Sequence, residues 1–178
     1  CSLSTAATSD TTTYDTSVTS TQTVSGTAGS DAATTEMETL EDITIDSSYE
    51  EGEATTIIAD DSGFTVSGSG ASVENNTVTI TENGTYIISG TIDDGQIIVN
   101  TDDKIQIILN GLTITSSTSA PIYIMESEEV TITLAEGTIN TVSDTTDFTY
   151  SDSTNEEPDA TIFSKGDLIF NGTGTLVL

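Results

Sequence analysis

Three short acidic segments, at residues 101–103, 126–129 and 165–167, carry the side chains best suited to binding a metal ion. Calcium takes about six to eight oxygen ligands from carboxylates and backbone carbonyls. If the three segments stack in space, their like charges lie close enough to require a counter-ion. The sequence therefore predicts a calcium site at this corner, with the candidate ligands Asp102, Asp103, Glu126, Glu128, Glu129 and Asp167. The open alternative is a solvated corner in which lysines neutralise part of the charge.

A longer acidic segment, SDTTDFTYSDSTNEEPDA at 143–160, interrupts the pattern of the chain around it. Loops inserted into repetitive folds commonly form their binding face. The spacing of its acids does not match an EF-hand loop, so no particular calcium geometry is specified. This insertion supplies a second set of candidate calcium ligands, namely Asp152, Glu156 and Glu157.

Aromatic side chains offer a different chemistry, the stacking of a flat ring on the face of a sugar. Phe148 and Tyr150 lie in the acidic insertion and are candidates for this role. Tyr123 is a third candidate, since it is expected to point outward if Ile122 and Ile124 point into the core. Each of these rings can instead pack against the protein itself, and the sequence leaves that alternative open.

The charge of the chain narrows the classes of function. Its 178 residues contain 30 Asp and Glu, two Lys and no His, for a formal net charge of -28. Nucleic-acid binding is excluded, because it needs clustered Lys and Arg, and an anionic membrane surface would repel the chain. Both cations are lysines, so a lyase would lack the Arg that commonly grips and deprotonates a uronate. No pair of carboxylates is singled out for hydrolysis, and the composition favours a protein that is not an enzyme.

The amino-terminal part of the chain reads as a tether. Residues 1–40 are rich in Ser, Thr and Ala and have no apolar periodicity. The single cysteine is Cys1, which excludes a disulfide within the chain. A Cys at this position followed by a polar segment is typical of a mature bacterial lipoprotein. We therefore expect lipidation at Cys1, and an extracellular protein whose contact with the membrane is this lipid.

The candidate ligands and rings must be positioned by strands. From Ile43 onward, short runs of Ile, Val and Thr alternate with turn residues, and no segment has a helical period. KIQIILNGLTIT (104–115) is answered by EVTITLAEGTIN (129–140), with a Gly turn in each, and a third copy begins after the insertion. This pattern predicts an all-β fold, a parallel β-helix with three short strands per coil of about 25 residues. An antiparallel sandwich is the alternative, but it does not explain corners that repeat in register.

The repeat also predicts which residues stack inside the core. The expected rows combine one residue from each copy, and they are Ile105/Val130/Leu168, Ile107/Ile132/Phe170, Leu109/Leu134 and, on a third face, Ile114/Ile139/Leu176. Outward positions are Thr-rich, as a solvated β surface favours. The predicted organisation is a tether at 1–40 and a β-helix at 41–178 with the acidic insertion at 143–159.

The segments ITENGTYIISG, KIQIILNGLTIT, EEVTITLAEGTINTV and DATIFSKGDLIFNGTGTLVL resemble the bacterial secreted carbohydrate-binding domain-containing proteins. That resemblance implies a right-handed parallel β-helix similar to pectate lyases. It also implies noncatalytic, calcium-binding surface proteins that bind acidic plant polysaccharides such as polygalacturonate, and cellulose. Members of the family usually continue for several further coils, so 41–178 is expected to be the first part of a longer β-helix.

These observations predict a cell-surface protein that binds polysaccharide with the help of calcium. The alternative is a structural subunit of an extracellular filament or surface layer, in which copies of this chain stack end to end. A polysaccharide lyase is the third possibility.

Overall fold

Strands account for all the regular structure in the described part of the chain. The structure is a computed structural model, and it describes residues 47–145, 147–150, 154 and 157–178. Thirteen strands in these residues form two sheets. No helix in the described residues is long and apolar enough to cross a membrane.

The first sheet has eight strands, with the order β12-β9-β7-β5-β1-β2 and with β10 and β13 on a side branch. Its strands are β1 Thr55–Asp60, β2 Gly63–Ser67, β5 Gly84–Ile92, β7 Lys104–Thr115, β9 Glu129–Leu134, β10 Ile139–Ser143, β12 Asp167–Gly172 and β13 Thr175–Val177. The second sheet has the order β11-β8-β6-β4-β3. Its strands are β3 Ala71–Glu74, β4 Thr77–Ile80, β6 Gln96–Asn100, β8 Ile122–Glu126 and β11 Ile162–Ser164.

The all-β prediction agrees with the structure, but the predicted closed parallel β-helix is wrong. Both sheets are mixed, because each contains one antiparallel pair, β1 with β2 and β3 with β4, while its other pairs are parallel. No third sheet and no closed solenoid forms in the residues that the structure describes.

The third face is missing because the predicted turn at Asn110-Gly111 is not a turn. Strand β7 continues through it for 12 residues, so the predicted second and third strands of this copy belong to one sheet. Gly111 has a φ of 78°, a left-handed conformation that bends the strand without ending it. The buried Asn140 of β10 stabilises the bend, because its Oδ1 accepts hydrogen bonds from the backbone N–H groups of Gly111 and Leu112, at 2.9 and 3.0 Å.

The second copy keeps its turn, and this shifts the third predicted row. After Leu134 the chain makes a turn in which the Thr138 N–H donates to the Ala135 carbonyl at 3.2 Å. The extra residues place Val142, not Ile139, opposite Ile114. Ile139 lies opposite Thr175 instead and is 66% exposed. The predicted row Ile114/Ile139/Leu176 is therefore wrong.

The other predicted rows are confirmed as strand pairings. Ile105 pairs with Val130 and Val130 with Leu168, and the Ile107/Ile132/Phe170 and Leu109/Leu134 pairings form in the same register. The row members in β7 and the residues Val130 and Ile132 of β9 are buried, whereas Leu134 is partly buried and Phe170 of β12 is exposed. The core therefore lies between the two sheets and is built mainly from Ile, Val and Leu at alternating positions.

Candidate functional site

The outer face of the first sheet carries an ordered set of polar side chains. Alternation along β5, β7 and β9 turns Thr85, Gln106 and Thr131 away from the core, and strand pairing sets these three residues side by side. We call them the polar row. Lys104 and Glu129 form the neighbouring row toward the start of the strands. The face is thus a grid in which the functional groups have fixed spacing.

Gln106 is held at the centre of this grid by hydrogen bonds. Its Oε1 accepts from the Thr85 hydroxyl at 3.3 Å. Its Nε2 donates to the Thr133 hydroxyl at 3.2 Å and to the backbone carbonyl of Ser48 at 3.4 Å. These contacts join β5, β7 and β9 through one side chain and fix where the amide points.

Lys104 stands at the edge of the polar row. Its Nζ lies 3.5 Å from Glu128 Oε1 and 3.6 Å from Glu129 Oε1, and its side chain is 58% exposed. Ion pairs this exposed contribute little to stability, about 0–1 kcal/mol. Lys104 therefore brings a solvent-accessible positive charge to a strongly acidic chain.

A cavity of about 380 Å3 opens over these residues, and its lining includes Ser48, Asn83, Lys104, Gln106 and Thr131. Small-molecule sites in proteins commonly have volumes of about 300–1,000 Å3. The lining combines the Lys104 cation and the Glu129 carboxylate with amides and hydroxyls. The amides, hydroxyls and carboxylate can bind sugar hydroxyls, and the cation can bind a sugar carboxylate. We call this cavity the polar groove.

Residues 47–54 cross the same face, and we call them the strap. They belong to no strand. Tyr49 and Ala54 of the strap pack against an outward-facing apolar patch formed by Ile87, Ile108 and Ala135. Beyond the strap lies a second cavity of about 360 Å3, whose lining includes Ser47, Tyr49, Thr133, Glu136 and Thr173.

The predicted calcium corner stacks as expected in its backbone. The Thr101 N–H donates to the Glu126 carbonyl at 3.1 Å, and the Glu128 N–H donates to the Asp103 carbonyl at 3.2 Å. Asp167 continues the corner by pairing with Glu129. Across the described ranges, however, no group of three or more acidic side chains is placed to hold a metal ion. Lys104 lies among these acids and supplies part of the counter-charge.

The second set of predicted calcium ligands is only partly described. Asp152 and Glu156 lie outside the described residues, as does the predicted lipidation site Cys1. Glu157 forms an ion pair with Lys165, with 2.7 Å between Oε2 and Nζ. Both lysines of the chain therefore contact carboxylates that were predicted as metal ligands.

The three aromatic candidates lie in two separate places. Tyr123 pairs with Phe163 across β8 and β11, but it is 3% exposed and makes an edge-to-face contact with that ring, with 5.7 Å between centroids. The expectation that Tyr123 stands exposed is therefore wrong, because the neighbouring ring and strand cover it. Phe148 and Tyr150 stack on each other at 6.5 Å with 13° between their planes, and Tyr150 is exposed.

Among the residues that the structure describes, three groups have a perturbed pKa, and none of them lines the polar groove. Hydrogen bonds from Ser62 lower the pKa of Asp60, and hydrogen bonds from Ser117 lower the pKa of Asp94. Burial, with a contribution from Glu82, raises the pKa of Tyr86. These hydrogen bonds favour the ionised form of the Asp60 and Asp94 carboxyl groups, which is the opposite of what a general acid requires.

The polar groove was not predicted as a site from the sequence. Gln106 and Thr131 were recognisable only as outward positions on strands, and Ser48 lies far away along the chain. The available signal was Gln106 itself, a long amide in the Ile-rich stretch KIQIIL, next to one of two lysines. The sequence repeat gives no indication of the strap, because residues 47–54 precede the repeat.

Comparison with known proteins identifies the chain at the level of its family. The family model of carbohydrate-binding domain-containing proteins matches residues 74–178, more than half of the chain. The chain belongs to this family. A carbohydrate-binding domain-containing protein from Acetivibrio thermocellus is 39% identical over 111 residues, which are 61% of this chain and 39% of that protein.

A solved structure gives a similar result. The polysaccharide lyase-like protein from C. thermocellum, as a gadolinium derivative, matches with a TM-score of 0.66 and 36% identity. The match covers 69% of this chain and 51% of that one. The chain therefore spans about two fifths to one half of the length of these relatives. The part of this family member that contains β5, β7 and β9, and with them most of the polar groove, lies within the matched residues 74–178.

Proposed function

We propose that this chain is a noncatalytic polysaccharide-binding protein that holds its ligand in the polar groove. The observation that carries the proposal is the placement of Lys104, Gln106 and Thr131 around a cavity of about 380 Å3 in a carbohydrate-binding family member. Hydroxyl and amide groups on a rigid sheet can pair with sugar hydroxyls without reordering the site.

The proposed ligand is an acidic plant polysaccharide such as polygalacturonate. Lys104 can form a charge-assisted hydrogen bond with the carboxylate of a uronate, and Gln106 and Thr131 lie within one row of it. Cellulose, a neutral polymer, is the second ligand in the proposal, since the hydroxyl-binding groups do not depend on charge.

Calcium assistance is the next part of the proposal. A chain of net charge -28 repels an anionic polymer. A divalent cation bound between the carboxylates of the protein and those of the polymer would relieve that repulsion. The acids nearest the polar groove are Glu128 and Glu129. A uronate carboxylate would then supply ligands that the described residues lack by themselves.

Two further parts of the proposal concern location and catalysis. We propose a cell-surface protein anchored through a lipid on Cys1. A noncatalytic role is supported by the family, whose name refers to carbohydrate binding.

The test compares two matched substitutions in binding assays with sodium polygalacturonate and with a soluble cello-oligosaccharide. Lys104→Met removes the charge beside the groove, and we expect it to weaken polygalacturonate binding about tenfold while cello-oligosaccharide binding stays within about twofold. Lys165→Met, in the turn between β11 and β12, changes the net charge equally and serves as the control.

Removal of divalent ions with a chelator is expected to weaken polygalacturonate binding in both variants, and to spare the cello-oligosaccharide. Equal effects of the two Lys substitutions would place the ligand elsewhere. An affinity that does not change with chelator would remove calcium from the proposal.

A further inference from the structure

The strap divides what would otherwise be one continuous groove. Thr131 lines the polar groove, and Thr133, two residues further along β9 on the same face, lines the second cavity. Same-face neighbours on a strand are separated by about 7 Å. Ser48 lies on the wall of the first cavity and Tyr49 on the wall of the second, so the strap occupies the space between them.

Beneath the strap, the face has the character of a binding surface. Ile87 and Ile108 lie side by side on β5 and β7, next to Thr133, and form an apolar patch on an otherwise polar face. The patch is buried, and Tyr49 and Ala54 of the strap pack against it. Apolar surface flanked by hydroxyls suits the mixed apolar and polar faces of a sugar ring.

The strap itself resembles an acidic ligand in its chemistry. Three exposed carboxylates, those of Glu50, Glu51 and Glu53, follow Tyr49. An anionic polymer approaching the groove meets these charges first, and displacing the strap would move them away. The strap also lies outside residues 74–178, so it is not part of the region matched to the family.

We propose that the strap is a built-in competitor that occupies the middle of a longer saccharide groove and is displaced when polysaccharide binds. This inference rests on the proposed function and adds a regulation of the same site. If the strap is displaced in only a fraction of the molecules, the apparent affinity for polysaccharide is lowered by that fraction. The strap therefore sets how tightly the full chain binds. The contacts of the strap include those of Tyr49 and Ala54 with the apolar patch and a 3.4 Å hydrogen bond from Gln106 to the Ser48 carbonyl. A segment outside the sheet ladder opens at lower cost than a paired strand.

The first test is hydrogen–deuterium exchange on the full chain, with and without sodium polygalacturonate. We expect peptides that cover residues 47–54 to exchange faster when the polymer is bound, while peptides from β7 and β9 become more protected. Slower exchange in the strap would show a clamp that closes on the ligand, and unchanged exchange would show a purely structural segment. Either result overturns the inference.

The second test separates this inference from the proposed function. Tyr49→Ala removes the apolar contact of the strap, and we expect it to raise the affinity for polygalacturonate roughly threefold to tenfold. Tyr49→Phe keeps the ring and is expected to bind as the unmodified chain does. If Tyr49→Ala binds no more tightly while Lys104→Met still weakens binding, the strap inference is wrong and the proposed function stands. If none of these proteins binds polygalacturonate, the ligand class proposed above fails and this inference fails with it.

Discussion

The two faces of the first sheet are built by the same strands but have different roles. On the inner face, Ile105, Ile107 and Leu109 of β7 are buried in the core between the sheets. On the outer face, Lys104 and Gln106 of the same strand line the polar groove. Because strand side chains alternate, a single stretch of sequence supplies both. The comparison teaches that stability and binding can be changed almost independently in this protein.

A substitution on the inner face should produce the largest loss of stability. Ile107→Ala is expected to lower the free energy of unfolding by about 2–5 kcal/mol, because it leaves a cavity at a fully buried position. Thr131→Ala, on the outer face of β9, is the matched control and should change stability by no more than about 0.5 kcal/mol. Urea unfolding followed by circular dichroism measures both. Similar losses in the two variants would contradict the division between the faces.

Asn140, a polar residue on the otherwise apolar inner face, should give the next largest loss of stability when it is substituted. Asn140→Ala is expected to cost about 2–3 kcal/mol, because the N–H groups of Gly111 and Leu112 lose their buried acceptor. Asn110→Ala, at an exposed position of β7, removes the same amide from the surface and should have little effect. The same urea titration compares them. A small effect at Asn140 would mean that the bend in β7 does not depend on this side chain.

A turn between the sheets should show the smallest effect, present at neutral pH and lost in acid. Ser117 lowers the pKa of Asp94 below its ordinary value of 3.8 by donating from its hydroxyl at 2.5 Å and from its backbone N–H at 2.9 Å. Asp94 stabilises the fold fully above pH 3.8, and this contribution is lost as the pH falls through the lowered folded-state pKa, because the unfolded chain binds the proton first.

Asp94→Asn should therefore lower the melting temperature slightly at pH 7 and flatten its fall below about pH 4, so that the variant and the unmodified chain converge in acid. Asp93→Asn makes the same charge change at the adjacent exposed residue, and thermal melts across the acid range compare the two. An identical pH profile for both variants would show that the Ser117 contacts do not govern this part of the stability curve.

Much of the fold could be predicted from the chain because its apolar alternation is regular. The pairing of Ile107 with Ile132, and of Ile105 with Val130, follows from two copies of the same pattern. The acidic corner was predicted in the same way, and its backbone stacks as expected. The family resemblance expected from the segments between residues 80 and 178 is likewise confirmed.

The wrong predictions about the turn at Gly111 and the exposure of Tyr123 share a physical cause. In both cases a contact with a residue distant along the chain decided the outcome. Gly111 and Gly137 lie within one position of each other in the 25-residue repeat, and both have positive φ. Gly111 bends a continuous strand, whereas Gly137 lies in a true turn. The difference comes from Asn140, which arrives from a later strand, so no local pattern could distinguish the two. The exposure of Tyr123 was misjudged for the same reason, since Phe163 covers it from 40 residues away.

The sequence by itself determined the all-β class, the strand register of the central core and the exclusion of nucleic acid as a partner. These follow from side-chain alternation and charge, which are properties of the chain at each position. Only the tertiary structure decided that there are two sheets, and that Ser48 of the strap lines one groove with Gln106 and Lys104. The physical reason is that a groove is made by residues that are close in space but distant along the chain, and the burial of an apolar patch brings them together.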